Sequence, residues 1–186
     1  MTIGNVLVTG GAGFIGTALA QKIADQAGRW VVLDSLHPQV HPGSEPPAAL
    51  PGSVDLIVGD VTDPATWDAV LDGFAPDIVI HLAAETGTAQ SLDEASRHAR
   101  ANVVGTTEMT DALGRAGVLP SHVLLSSSRA VYGEGDWQRS SGETFQPGQR
   151  SHDQLESGQW DFTDATPLPS IARRTVPSPT SVYGAT

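Results

Sequence analysis

The chain has 186 residues, 39% hydrophobic and 17% charged, enough apolar material for one packed domain and a poor match to wholesale disorder. Ten basic against 21 acidic residues leave a net charge of −11, which repels phosphate backbones and anionic lipid at long range and argues against nucleic-acid or membrane partners. Cysteine is absent, so disulfides, thiolate metal sites and thiol nucleophiles are excluded. No apolar run approaches the roughly 18 residues of a membrane span and the N-terminus lacks a basic leader, so a cytoplasmic protein is expected.

Short runs rich in Val, Ile and Leu predict strands at Ile3–Thr9, Trp30–Asp34, Val54–Val58, Asp77–Ala83 and Ser121–Ser127. Each is apolar on both faces, as a parallel strand covered on both sides should be. Helices are predicted between them at Phe14–Ala27, Pro64–Gly73 and roughly Leu92–Ala116, with Pro64 in a first turn after the caps Thr62 and Asp63. The alternation implies right-handed crossovers and an α/β, Rossmann-like, doubly wound parallel sheet with helices on both faces. Two segments break the rhythm. Residues 37–51 carry five prolines and read as a surface loop without helix. Residues 134–178 form a long polar insertion in which Gln149–Gln159 is the sole helix expected.

Thr9–Gly16 reads TGGAGFIG and joins the first strand to the first helix. Gly10 permits the tight turn, Gly13 lets backbone approach a pyrophosphate, and Gly16 lets the helix pack closely on the sheet. The helix N-terminus, with Phe14 and Ile15 in its first turn, then offers N–H groups and partial positive charge to phosphates. Asp34 ends the second strand 18 residues beyond Gly16 and, with Ser35 beside it, is placed to accept hydrogen bonds from ribose hydroxyls. Its carboxylate would repel a 2′-phosphate, so NAD is expected in preference to NADP. His37 and His41 are four apart, but prolines 38 and 42 forbid a helix presenting both to a metal, and no metal site is expected. No G-x-S-x-G elbow surrounds any serine, which argues against a hydrolase built on His81 or His122.

The spacing G-x-x-G-x-x-G, followed by Asp34, GDVTD at 59–63, HLAAE at 81–85, Asn102 with Gly105-Thr106, SSSRAVYG at 126–133 and PTSVYGAT at 179–186, resembles the extended short-chain dehydrogenase/reductase family. Within it the match is to the nucleotide-sugar epimerase and dehydratase branch. The resemblance implies that Asp60 and Val61 lie along the adenine, that Leu82, Ala83 and Ala84 line the nicotinamide half of the groove, and that Asn102 braces it. Ser126 is then cofactor-side or structural. The family's catalytic hydroxyls map to Ser128 and Tyr183, Tyr183 also reaching the nicotinamide ribose; Glu85 is a further active-site candidate, for contact with substrate or ribose, with a cap of the next helix as the alternative. Tyr132, followed four residues on by Asp136, is assigned to packing. The lysine that accompanies the family's tyrosine would be residue 187, so this chain is expected to be a 1–186 NAD-binding domain that lacks the substrate lobe and is inactive alone. The full-length protein is expected to be a homodimer acting on a nucleotide-diphosphate sugar.

A tyrosine with an ordinary pKa near 10 is a poor base at neutral pH unless a cation favours its phenolate. Tyr183 would take the proton of a sugar hydroxyl as hydride leaves its carbon, while Ser128 hydrogen-bonds the same oxygen. Sugar 4,6-dehydratases of the family carry an Asp-Glu pair after the Ser/Thr, where this chain has Arg129 and Ala130. A 4-epimerase needs no such pair and is the activity implied, with AAETGTAQS and the insertion most similar to dTDP-rhamnose-type enzymes. The alternatives are a dehydratase or keto-sugar reductase of the same family, or a non-catalytic dinucleotide sensor.

Overall fold

The computed structural model describes residues 2–186, which divide into two compact units. One holds the chain up to Glu85 together with Ser96–Ser126; the other holds Thr86–Ala95 together with Ser127–Thr186.

The first unit is a five-stranded parallel sheet: β1 (Asn5–Thr9), β2 (Arg29–Asp34), β3 (Asp55–Val58), β4 (Ile78–His81) and β5 (His122–Leu125), in the order β3-β2-β1-β4-β5. Leu7 of β1 is in register with Val31 of β2 and Val79 of β4. Alternate residues feed opposite layers. Leu7, Val31, Leu33 and Val79 pack with Trp67, Val70 and Met109, whereas Val6, Val8, Trp30 and Val32 pack with Ala20 and Ala24. Two buried faces are why β1 and β2 read as unbroken apolar runs. The two edge strands depart from that expectation: Val123, Leu124 and Leu125 of β5 are at least half exposed, and Val58 of β3 is exposed as well.

Helix α1 (Phe14–Ile23) is shorter than its pattern and ends in a 3₁₀ turn, Ala24–Gln26. Helix α2 (Pro64–Leu71) begins where Asp63 caps it, the carboxylate accepting the Ala65 N–H at 3.0 Å. The single helix expected over residues 92–116 is instead segmented. Short α3 (Gln90–Asp93) ends at Glu94, whose φ/ψ of −117°/40° leaves the helical region. Then come α4 (Ala95–Ala99), a π turn at Arg100–Val104 and α5 (Gly105–Arg115). Each piece keeps helical spacing of its own and the composition does not change across the breaks, so the pattern conceals them. The proline-rich 37–51 segment contains one 3₁₀ turn, Pro42–Ser44, with Pro42 at its start.

The second unit holds structure that the sequence did not announce. β6 (Trp137–Arg139), β7 (Thr144–Phe145) and β8 (Ala165–Pro167) form an antiparallel sheet in the order β7-β6-β8. Trp137 meets Phe162 edge-on at 5.0 Å and Arg139 covers the Phe145 ring at 4.2 Å. The expected helix is confined to α6 (His152–Glu156), capped by Ser151, and the chain closes with α7 (Val182–Ala185). Among the described residues no helix is long and apolar enough to cross a membrane.

Candidate active site

The carboxyl ends of β2, β1 and β4 lie side by side, and the order reverses between β1 and β4, the point at which doubly wound sheets bind ligands. The Gly-rich turn leaves β1 there. Gly10 adopts φ +64°, and a Cβ on it would sit 2.7 Å from the Ala83 nitrogen, so both conformation and space demand glycine. A Cβ on Gly16 would run into the Gly11 backbone, and one on Gly11 would lie 2.7 Å from Val32. Gly11 therefore has a packing role that the three-glycine pattern did not assign.

Gly13 is the extended residue before α1, and no side chain caps that helix and no acid lies in its first turn. Phe14 and Ile15 flank this open N-terminus, 92% and 57% exposed. Uncapped N–H groups beside exposed apolar side chains suit a ligand with phosphates and flat rings. On a chain of net charge −11, this local field is what an anionic dinucleotide requires.

Asp34 is buried. One carboxylate oxygen accepts the Ala12 N–H at 2.9 Å and the other the Leu36 N–H at 2.9 Å, with His41 Nε2 at 3.7 Å from the latter oxygen. The carboxylate thus pins the Gly-rich turn to the loop after β2, a role the sequence did not reveal. Two of its roughly four acceptor positions are used by these amides, which is compatible with hydroxyl donors as well. Ser35 beside it is exposed.

Asp60 is exposed and turns the chain by accepting the Thr62 N–H at 2.8 Å, while Val61 is buried against Gly105 and accepts Trp67 Nε1–H at 2.7 Å through its carbonyl. The Leu82 and Ala83 amides donate to the Thr9 carbonyl (3.0 Å) and hydroxyl (3.3 Å), fixing the loop after β4, and Ala84 beyond them is exposed. Asn102, within the π turn, closes a pair of bonds on that loop. Its Oδ1 accepts the Glu85 N–H at 2.8 Å and its Nδ2 donates to the Glu85 carbonyl at 3.1 Å. The Glu85 carboxylate faces Arg97, with Nε at 2.9 Å from one oxygen and Nη2 at 2.8 Å from the other.

Ser126 donates through both its amide (3.2 Å) and hydroxyl (3.1 Å) to the His81 carbonyl. His81 itself is 2% exposed, with Thr9 Oγ1 at 2.7 Å from Nδ1 and Thr106 Oγ1 at 3.2 Å from Nε2. Burial lowers its pKa from 6.5 to about 4.

In the second unit, Ser128 precedes a 3₁₀ turn at Arg129–Tyr132, and its hydroxyl accepts the Ala130 N–H at 3.2 Å. Tyr183 lies on α7, whose Ser181 cap accepts the Gly184 N–H at 3.0 Å. The two segments pack together: the Ser178 amide donates to the Val131 carbonyl at 2.9 Å, and a Cβ on Gly184 would lie 2.5 Å from the Ala130 oxygen. Residues 55 apart in sequence are thereby brought into one neighbourhood, each half-buried and held by a capped turn.

Sheet, switch point and glycine turn define a Rossmann-like dinucleotide-binding protein of the extended short-chain dehydrogenase/reductase class. More narrowly, the chain belongs to the NAD dependent epimerase/dehydratase family, whose model matches residues 6–152. It is 60% identical over 181 residues to dTDP-L-rhamnose 4-epimerase of Burkholderia thailandensis, covering 97% of this chain and 50% of that one. A probable UDP-glucuronate 4-epimerase of Rhizobium meliloti is 32% identical over 131 residues, 68% of this chain and 38% of that one. The UDP-glucose 4-epimerase of Brucella ovis, solved in complex with NAD, superposes with a TM-score of 0.68 at 30% identity, covering 98% of this chain and 44% of that one. The chain thus spans about half the length of the first relative and less of the others.

Proposed function

We propose that this chain carries the dinucleotide site and the proton-handling hydroxyls of an NAD-dependent nucleotide-sugar 4-epimerase, with a dTDP-linked 6-deoxyhexose of rhamnose type as substrate. The 60% identity to the rhamnose 4-epimerase, sustained over 97% of the chain, is the observation that carries it. The glycine turn and the open α1 N-terminus would hold the pyrophosphate, Asp34 the adenosine ribose, and Leu82–Ala84 the nicotinamide end. NAD, when bound, supplies a reversible hydride acceptor for C4 of the sugar.

The chain's own residues handle the proton. Tyr183 takes it from the C4 hydroxyl and returns it, and Ser128 donates a hydrogen bond to the same oxygen as charge develops there. The 4-keto sugar then offers its opposite face. Glu85 acts through the loop that it anchors. Water elimination would need a proton-shuttling acid after Ser128, and Arg129-Ala130 supplies none.

Incubating the product of the complete reading frame with dTDP-L-rhamnose and NAD, and following the H4 coupling by NMR, tests the proposal. Conversion to the C4 epimer is expected. A 4-keto product accumulating in step with NADH would establish a dehydrogenase or a keto-sugar reductase run in reverse, and binding of NAD without turnover of any nucleotide sugar a sensor.

A further inference from the structure

Arg97 occupies an unusual position for a residue outside every recognised motif. It lies on α4, and its guanidinium holds Glu85, on the loop that follows β4, through a two-pronged pair at 2.9 and 2.8 Å. The same Nη2 donates to Gln39 Oε1 at 3.1 Å and lies 3.5 Å from His37 Nε2, both on the loop that follows β2. β2 and β4 are not neighbours. β1 runs between them and ends in the Gly-rich turn, so the two loops stand on opposite sides of that turn, about 10 Å apart at ~4.8 Å per strand.

We propose that Arg97 is a positioning residue that straps the β2 and β4 loops together across the mouth of the dinucleotide groove and slows release of the dinucleotide. The inference rests on the cofactor assignment above. A guanidinium suits this task because its planar fork satisfies a carboxylate with two donors while further N–H groups reach a second partner; an ammonium has no such fixed geometry. The Glu85 end is rigid, since Asn102 brackets the Glu85 backbone from the π turn. The Gln39 end is the movable one: Gln39 is exposed and sits on the proline-rich loop. Opening the groove therefore means parting Gln39 and His37 from Arg97, while the Glu85 pair stays closed.

The strap is tested by the release rate of NADH, read from its fluorescence in a stopped-flow chase with excess NAD, alongside the melting temperature of the cofactor-free protein. Gln39→Ala should speed release by about fivefold with the melting temperature unchanged. Arg97→Ala should speed it by about tenfold or more, because it removes the contacts to both Gln39 and His37 that opening must break. In the Arg97→Ala background, Gln39→Ala should have no further effect, a non-additivity that a merely structural loss does not produce. Should Arg97→Ala fail to fold, Gln39→Ala alone decides. Release within twofold of wild type in Gln39→Ala, or strictly additive effects, would overturn the strap. A wild-type protein that binds no NADH would overturn the cofactor assignment and the strap with it, so the two failures are told apart by the wild-type control.

Discussion

His81 offers a sharp test of how the sheet and the site share one polar network. Thr106 Oγ1 donates to the Asn102 carbonyl at 2.7 Å, so it accepts a hydrogen bond from His81 Nε2–H, leaving Nδ1 bare to accept from Thr9. One neutral tautomer satisfies every partner. Protonation would put a second N–H against Thr9 Oγ1, which already accepts the Ala83 amide, in a position 2% exposed. Burial lowers the folded pKa to about 4, below the ordinary 6.5, so the unfolded chain binds the extra proton first. Stability from this group is complete above pH 6.5 and is lost as pH falls toward 4. At about 1.4 kcal/mol per pH unit, the loss is about 3 kcal/mol. Urea unfolding at a series of pH values, with His81→Gln as reference, isolates it from the carboxylates common to both proteins. His81→Gln should cost about 1–2 kcal/mol at pH 7 and be the less pH-sensitive of the two. Parallel pH profiles, or an imidazole that titrates near 6.5 by NMR, would refute the reasoning.

Asp34 should favour NAD over NADP at least tenfold, about 1.4 kcal/mol. Asp34→Asn should bring the calorimetric affinities toward each other and weaken both, because the amide accepts from only one of Ala12 and Leu36. Gly10→Ala should destabilise the protein by about 1–3 kcal/mol, from its positive φ and the close Ala83 backbone, and lower NAD affinity with it; thermal unfolding at wild-type temperature would contradict the geometry. Tyr183→Phe should abolish turnover with NAD affinity changed only a few-fold, and Ser128→Ala should cost on the order of 10²–10³ in kcat. A Tyr183→Phe enzyme that still turns over would remove the proton-transfer role.

The sheet was legible because its chemistry is local. Val, Ile and Leu runs, the glycines at 10, 13 and 16, and the Asp63 cap each act within a few residues. β6, β7 and β8 escaped because strands of two or three residues have no period to read, and their unit is knit by distant pairs such as Asp136 with Thr175 at 2.8 Å and with Gln146 at 3.1 Å. The α3–α5 segmentation escaped because a π turn shifts helical phase without altering composition. In the site, the family resemblance singled out Asn102 for the nicotinamide half of the groove, but its two bonds to the Glu85 backbone could not be read from the sequence. Arg97 was invisible, since its partners lie 12 and 58 residues away and no motif contains it. The pinning of Ala12 by Asp34 was likewise hidden, because an alanine's amide leaves no trace in its side chain.

Retention of deuterium at C4 is the measurement closest to the proposed chemistry. A dTDP-linked substrate deuterated at C4 is converted by the product of the complete reading frame in ordinary water, and the product is read by mass spectrometry and NMR. A 4-epimerase that removes and returns the same hydride keeps the label at C4 of the epimer, with no net NADH formed. Label washed into solvent, or NADH accumulating in step with substrate consumed, would contradict it.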